Sequence, residues 1–198
     1  MRYECEYFSR PYLGERRNGD LVVIKKYFQE DSQELEDVVC IVVDILGHGP
    51  AAADVADIAK THLIKTEFRL PYKLMQDLNQ ALENTRGGAA GICRFDFNKN
   101  ETTWAGIGNI HCKAFTSTSP FFCQDGIVGQ FKREIRIQTK EFEVGDVYMF
   151  ASDGVKSNFH FHEHPQWRYM SAKALSTAIV KSYGTTRDDA TCAIMRVL

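Results

Sequence analysis

The sequence predicts an α+β fold in which helices pack outside a framework of antiparallel strands. Three observations support this class: strand-like runs dominate the chain, helical periodicity appears in only three segments, and most strands follow one another without an intervening helix. Consecutive strands favour antiparallel pairing, because a parallel pair needs a long crossover connection, usually a helix.

The expected strands are rich in β-branched and aromatic residues and are bounded by turn residues. They are LVVIKKYF (21–28), DVVCIVVDI (37–45), AAGICRFDF (89–97), TTWAGIGN (102–109), HCKAFTS (111–117), EIRIQTKEF (134–142), DVYMFAS (146–152) and ATCAIMRVL (190–198). Between the third and the fourth, FNKNET (97–102) has the composition of a hairpin turn.

Three helices are expected, at 51–65, 71–85 and 171–183. Apolar residues share a face in the first (Ala52, Val55, Ala59, Leu63) and in the second (Leu74, Leu78, Leu82). Pro71 suits a first-turn position, Ser171 an N-cap, and Gly184 a helix stop. The resulting order is two strands, two helices, about five strands, a helix and a final strand.

Length and composition indicate one globular domain, residues 1–198, with 25% charged and 44% apolar residues. The net charge of −2 gives no electrostatic reason to expect binding to nucleic acid or to an anionic membrane. No apolar run approaches the roughly 18 residues that a membrane span needs, and the N-terminus lacks the apolar core of a signal peptide. A cytoplasmic protein is expected, with its six cysteines reduced and no structural zinc.

Aspartates stand beside glycines or at strand ends in four motifs. These are NGD (18–20), DILGHG (44–49), SDG (152–154) and DDAT (188–191). Each motif alone is more typical of a turn. Together, however, they would bring costly carboxylates to one edge of the sheets, where hard divalent cations relieve the repulsion. An all-oxygen ligand set favours Mg²⁺ or Mn²⁺.

The same four motifs, in this order, resemble the pattern of the SpoIIE/RsbX branch of metal-dependent serine/threonine protein phosphatases. This branch comprises bacterial relatives of the type-2C, or PPM, phosphatases. Its pattern is a GD near the start, a D-x-x-G-x-G turn that opens a helix, a late SDG, and a terminal DD-x-T strand. RGGAAGICRFDF and GNIHCKAF stand where the branch has its central hairpin, so the resemblance covers nearly the whole chain.

This resemblance implies a four-layer α/β/β/α sandwich of two mainly antiparallel sheets, with two Mn²⁺ or Mg²⁺ ions at one edge. Asp44 would bridge both ions, Asp20 and the backbone carbonyl of Ile45 would bind one, and Asp153 and Asp188 the other. A water between the ions, held through Asp44 and Asp153, would attack a phosphoserine or phosphothreonine. The implied substrates are phosphorylated STAS-domain proteins of a stressosome or partner-switching module. Two ions that activate water make a side-chain nucleophile unnecessary, and no G-x-S-x-G elbow is present.

Several positions depart from the family pattern. Ile45 replaces a common glycine, which a backbone-carbonyl ligand tolerates. Leu46 occupies the place of the type-2C histidine, so that general-acid role does not carry over. His48 could donate a proton, although a surface turn histidine is the more common case, and Arg16 and Arg17 lie near the place of the family's phosphate-binding arginine, where such a pair is more often solvated. Asp189 ranks below Asp188 as a ligand and could instead fix its loop by hydrogen bonds.

Two other functions remain as alternatives. GHGPAA (47–52) matches G-x-G-x-x-A, opens a helix after a strand and precedes Glu67 by 20 residues from Gly47, as in a dinucleotide-binding fingerprint. That motif requires regular strand–helix alternation, which is absent. The second alternative is a catalytically silent PPM-fold binding module, whose mark would be the loss of a metal aspartate.

HFHEH (160–164) places His160, His162 and His164 at every second position. On a strand these side chains would share a face and could hold a transition metal. Pro165 instead favours an exposed loop after SDG.

Overall fold

A computed structural model describes residues 2–31, 33–115 and 121–198. Its strands are β1 (Tyr3–Arg10), β2 (Asp20–Phe28), β3 (Leu35–Ile45), β4 (Gly88–Asp96), β5 (Glu101–Ile107), β6 (His111–Ala114), β7 (Gln138–Glu141), β8 (Val147–Ala151) and β9 (Ala190–Val197). Its helices are α1 (Pro50–Lys65), α2 (Pro71–Ala81) and α3 (Ala172–Tyr183), with short 3-10 helices at Phe161–Glu163 and Pro165–Tyr169. None of the helices in these ranges is long and apolar enough to cross a membrane.

Two antiparallel sheets pack face to face. Their strand orders are β1-β9-β8-β6 and β2-β3-β4-β5-β7. Helices α1 and α2 cover the outer face of the five-stranded sheet, and α3 covers the outer face of the four-stranded sheet. The layers are therefore α/β/β/α, as the resemblance implies. Helices α1 and α2 connect β3 to β4, and these two strands pair antiparallel. A dinucleotide-binding fold needs a parallel pair on either side of its helix, so that alternative is wrong.

Strand β3 is buried on both faces, which explains its unbroken apolar sequence. Val39 and Ile41 pack against the helices, whereas Val38 and Cys40 pack between the two sheets. This division follows from the alternation of side chains along a strand. Each fully buried aliphatic side chain contributes ~1.5–3 kcal/mol relative to exposure, so the run fixes the middle of the sandwich.

The helix ends follow the expected signals. Helix α2 begins at Pro71, the Ser171 hydroxyl accepts a hydrogen bond from the Ala174 amide at 3.3 Å, and Gly184 follows the last residue of α3. Helix α1 lies close to the sheet because small residues face it. These are Ala52, Ala56 and Ala59, which are all buried.

The strands depart from expectation at two places, and a third expected strand falls partly outside the described residues. Strand β1 was not anticipated, because YECEYFSR mixes charged and aromatic residues at the edge of a sheet, where burial is incomplete. Strand β7 covers only four residues of the expected 134–142, since the backbone of Glu134 and Arg136 bonds to the side chain of Gln124 instead. Positions 116 and 117 of the expected strand 111–117 lie outside the described residues.

Candidate functional site

Asp20 and Asp44 lie opposite each other in the antiparallel ladder of β2 and β3. Directly paired residues project from the same face of a sheet. That face is the inner one, because Val22 and Val42, two positions along each strand, pack between the sheets. The register of one strand pair thus places two carboxylates side by side at the end of the inter-sheet core.

The SDG and DDAT motifs belong to the second sheet and lie at one end of it. Strands β8 and β9 are neighbours; β8 ends just before Ser152, and β9 begins just after Asp189. Burial raises the pKa of Asp153, and the charge of Asp188 raises it further. Asp153 and Asp188 are therefore close enough to repel each other.

Ser152 joins the two sheets at this site. Its Oγ donates a hydrogen bond to Oδ2 of Asp20 at 2.6 Å and accepts one from the Thr191 amide at 3.1 Å. The bond to Asp20 holds the GD motif of the five-stranded sheet against the SDG motif of the four-stranded sheet. Three of the four motifs are thereby connected through one hydroxyl.

The electrostatics of the paired carboxylates are unfavourable without a cation. Burial, followed by the charge of Asp20 and of the aspartates in SDG and DDAT, raises the pKa of Asp44 to about 9. Burial also raises the pKa of Asp20 to about 7, although the hydrogen bond from Ser152 opposes this shift. A bound divalent cation offsets such repulsion and returns these groups to their ionised form.

The residues fit a hard cation, but they do not form a ready-made cage. In the part of the chain that the structure describes, no three His, Cys, Asp or Glu side chains are arranged to hold a metal ion as they stand. Asp153 Oδ2 instead accepts a hydrogen bond from Asn109 Nδ2 at 2.6 Å. Oδ1 of Asp20, however, is buried with no hydrogen-bond partner among the described atoms. Ion binding therefore requires the carboxylates to converge further on a common point, which the free Oδ1 of Asp20 allows without loss of the bond from Ser152.

Glycines allow the backbone to pack tightly around these aspartates. Gly47 has a φ of 79°, in the left-handed region that favours glycine. A Cβ at Gly88 would lie 2.2 Å from the carbonyl oxygen of Asp44, and one at Gly154 would lie 1.8 Å from that of Asp189. The glycine in SDG is therefore required because the DD segment passes directly against it.

Asp189 forms hydrogen bonds to the loop between β1 and β2. Its Oδ1 accepts a hydrogen bond from the Tyr12 amide at 2.7 Å, and its Oδ2 accepts one from the Gly19 amide at 2.8 Å. Both carboxylate oxygens are thus occupied, and the side chain is 3% exposed. The carboxylate therefore fixes both ends of the stretch 12–19, which leads into Asp20.

No protein-family model matches the chain. The phosphoserine phosphatase RsbX of Bacillus subtilis (strain 168) is 24% identical over 166 residues, which are 82% of this chain and 80% of the relative. A structure described as "The bacterial stressosome: a modular system that has been adapted to control secondary messenger signaling" superposes with a TM-score of 0.88 at 25% identity, covering 99% of this chain and 100% of the other.

Two further solved structures share the fold. RsbX in complex with magnesium gives a TM-score of 0.80 at 20% identity, over 99% of this chain and 96% of the other. The PP2C phosphatase domain of SpoIIE from Bacillus subtilis gives 0.76 at 13% identity, over 100% and 64%. The chain has the PPM phosphatase fold and is similar to RsbX. The expected resemblance and the expected fold class are confirmed.

His48 and Arg17 are engaged elsewhere in this PPM fold. The His48 ring stacks on Tyr12 with centroids 4.2 Å apart, and its Nδ1 lies 3.8 Å from Glu15. The Arg17 guanidinium forms ion pairs with Asp54 at 2.6 Å and with Asp57 at 2.8 Å, both on α1. These contacts favour a surface role for His48 and remove Arg17 as a free phosphate ligand, while Arg16 is exposed.

The histidines of HFHEH do not share a strand face. They lie in and around the 3-10 helix Phe161–Glu163, so the strand hypothesis is wrong. The rings of His160 and His162 stack at 5.3 Å. His164 turns inward, where its ring stacks on Trp167 and its Nε2 lies 2.6 Å from the Tyr183 hydroxyl.

Three residues near the site were not singled out from sequence: Ser152, Asn109 and Arg86. Arg86 Nη1 donates to the carbonyl of Leu46 at 2.8 Å and so braces the turn after Asp44. Ser152 stands inside the SDG motif and Asn109 in the GN pair after β5, so both lay within motifs already quoted. Their roles depend on contacts across the sandwich, which spacing along the chain does not reveal.

Proposed function

We propose that this chain is a metal-dependent phosphoserine/phosphothreonine protein phosphatase with its centre at the Asp20–Asp44 pair. The observation that carries the proposal is this pair, which strand register places side by side. Both carboxylates have raised pKa values, and Oδ1 of Asp20 is buried without a hydrogen-bond partner among the described atoms. Carboxylates so placed need a hard cation. Support comes from the similarity to RsbX, whose structure contains magnesium.

The proposed ligands are the carboxylates of Asp20, Asp44, Asp153 and Asp188 and the backbone carbonyl of Ile45. Asp44 would contact both of two Mg²⁺ or Mn²⁺ ions. Asp20 and Ile45 would serve one ion, and Asp153 and Asp188 the other. Two such ions, when bound, lower the pKa of water and offset the negative charge of a transferring phosphoryl group.

The chain's own residues hold and orient this centre. Ser152 donates to Asp20 and favours its ionised form, while Asn109 donates to Asp153 and sets its direction. Asp189 fixes the loop that leads into Asp20. Since the attacking group is water, the aspartates act as positioning carboxylates and none of them has to form a bond to phosphorus.

The proposed substrates are phosphorylated STAS-domain proteins of a stressosome or partner-switching module, in the cytoplasm. The similarity to RsbX, a phosphoserine phosphatase, and to a stressosome structure supports this choice. The site itself recognises a phosphoserine or phosphothreonine ester and does not identify the protein that carries it.

The test is phosphate release from a phosphoserine-bearing STAS-domain protein, measured with Mn²⁺, with Mg²⁺ and with EDTA. We expect release that requires the metal and that falls by at least ~100-fold in Asp153→Asn, as for loss of a metal ligand. Asp31→Asn is the matched control, because Asp31 is exposed in the turn after β2. If no metal supports release while the STAS-domain protein still binds, the chain is a silent binding module instead.

A further inference from the structure

A cleft of about 470 Å³ is lined by residues from 122–125 and 133–138, the segments that lead into β7. Gln124 lines one wall. Its backbone amide donates to the Gly106 carbonyl, and its backbone carbonyl accepts from the Gly108 amide, both at 2.8 Å. The next residue, Asn109, donates to Asp153. The cleft residue Gln124 is therefore bonded to Gly108, which directly precedes the residue that contacts Asp153.

Two glutamine side chains hold the walls of this cleft. In the Gln124 side chain, Nε2 donates to the Glu134 carbonyl at 3.0 Å and Oε1 accepts from the Arg136 backbone amide at 2.7 Å. Gln138 accepts from the Phe122 amide at 3.0 Å and donates to the Phe122 carbonyl at 2.7 Å. The main chain on both sides is therefore fixed without using the Arg136 or Phe122 side chains.

The cleft is cationic. Arg133 and Arg136 line it, and Asp125 contributes the one carboxylate among the described lining residues. The Arg133 guanidinium is already engaged, since it donates to the Asp125 carbonyl and lies 5.2 Å from the Phe131 ring centroid. The Arg136 guanidinium makes no hydrogen bond or ion pair within the described ranges. It is an exposed cation on a fixed backbone.

We propose that Arg136 binds an anionic side chain of the phosphoprotein substrate, a carboxylate or a second phosphate that flanks the phosphorylated residue. Guanidinium groups pair with both anions through two parallel hydrogen bonds. Phe122 is 65% exposed at the rim and offers an aromatic face to an apolar neighbour in the same peptide. The inference rests on the proposed function, because it assigns the cleft to the substrate of that site.

The test is binding of three fluorescent phosphoserine peptides by fluorescence anisotropy in EDTA, where no turnover is expected. One peptide is flanked by glutamates, one by glutamines and one by a second phosphoserine. We expect Arg136→Gln to weaken the glutamate peptide about fivefold or more, as for loss of a hydrogen-bonded charge pair, and to leave the glutamine peptide unchanged. Comparison of the glutamate and diphospho peptides tells which anion Arg136 prefers.

Lys132→Gln is the matched control, because it removes an exposed cation nearby that does not line the cleft. Equal losses in Lys132→Gln and Arg136→Gln, or no preference of the wild-type protein for either anionic peptide, would overturn the inference. Hydrolysis of p-nitrophenyl phosphate with Mn²⁺ separates the two proposals, since this substrate has no flanking residues. If the wild-type protein is inactive but still prefers the glutamate peptide through Arg136, the proposed phosphatase activity is wrong and the proposed binding role of Arg136 stands.

Discussion

Ser152 donates a hydrogen bond of 2.6 Å to the buried carboxylate of Asp20, across 132 positions of sequence and from one sheet to the other. The same hydroxyl accepts from the Thr191 amide, so it is held by the strand that neighbours its own. The Ser152 side chain therefore contacts both the proposed metal centre and the junction of the two sheets. A change there acts on stability and on ligand geometry together.

Ser152→Ala should lower the free energy of unfolding in EDTA by ~1–3 kcal/mol, because Asp20 would keep a buried carboxylate without its donor. Added Mn²⁺ should restore part of the loss, since an ion can take the place of the donor. Urea denaturation with EDTA and with Mn²⁺ measures both effects. Ser182→Ala, at an exposed position of α3, is the control and should change stability by less than ~0.5 kcal/mol. Equal effects of the two substitutions would contradict the role of Ser152.

The stability of the metal-free protein should fall as the pH rises. Asp20 and Asp44 have folded-state pKa values of about 7 and about 9, above the ordinary value near 4 that they take when unfolded. The folded state therefore binds the extra protons, and this stabilisation is complete below about pH 4 and lost as the pH passes 7 and then 9. With Mn²⁺ the trend should reverse, because ligands must be ionised to bind. Urea unfolding in EDTA and in Mn²⁺, at pH values from about 5 to about 9, measures this.

Asp44→Asn isolates the largest part of that pH dependence. Without metal, we expect the variant to be more stable than the wild type near pH 9, since a repelled buried charge is gone. With Mn²⁺, it should gain no stability, because the proposed bridging ligand is lost. A variant whose pH profile in EDTA stays as steep as that of the wild type would show that Asp44 does not carry the repulsion.

The sequence predicted the parts of the site that depend on local pattern. Asp44 is the second-last residue of a strand buried on both faces, and a glycine turn follows the strand. The sequence alone therefore indicates that burial of this carboxylate is costly and that a cation could offset the cost. The pairing of Asp44 with Asp20 depends on the register of β2 and β3, which the sequence does not specify. The roles of Ser152 and Asn109 could not be predicted, because their hydrogen-bond partners, Asp20 and Asp153, lie far away in the sequence. Strand β1 was missed for a related reason: an edge strand shows weak alternation, and only its pairing with β9 defines it.

Gly154→Ala should destabilise the protein far more than an ordinary glycine substitution. A Cβ there would lie 1.8 Å from the Asp189 carbonyl oxygen, and the crowded atom belongs to backbone. We expect a loss of at least ~3 kcal/mol, the upper range for overpacking. Gly145→Ala is the control, since Gly145 has a φ of 98° and no atom within 4 Å of an added Cβ; its cost should be only the ~1 kcal/mol of left-handed strain. Thermal unfolding of both variants gives the comparison, and similar losses would show that the DD segment can move away.

Asp188→Asn should affect metal-dependent activity and Asp189→Asn should affect stability, although the two residues are adjacent. Asp188 Oδ1 accepts from the Asp189 amide at 2.9 Å, a bond that asparagine preserves, so this variant should remain stable and lose metal-dependent activity. Asp189→Asn keeps one acceptor oxygen for the two amides of Tyr12 and Gly19 and should cost ~2 kcal/mol. Released from Asp189, the loop should be cut faster by trypsin at the exposed Arg16.

Limited trypsin digestion, with metal affinity measured in parallel, separates these two roles. Asp189→Asn should accelerate cleavage of the loop and change metal affinity little, whereas Asp188→Asn should weaken metal binding and leave cleavage at the wild-type rate. Asn in place of either aspartate removes one negative charge, so each variant controls for the charge effect of the other. If Asp189→Asn weakened metal binding as much as Asp188→Asn and left the loop protected, Asp189 would be a ligand, and the two amide hydrogen bonds would be incidental to its position.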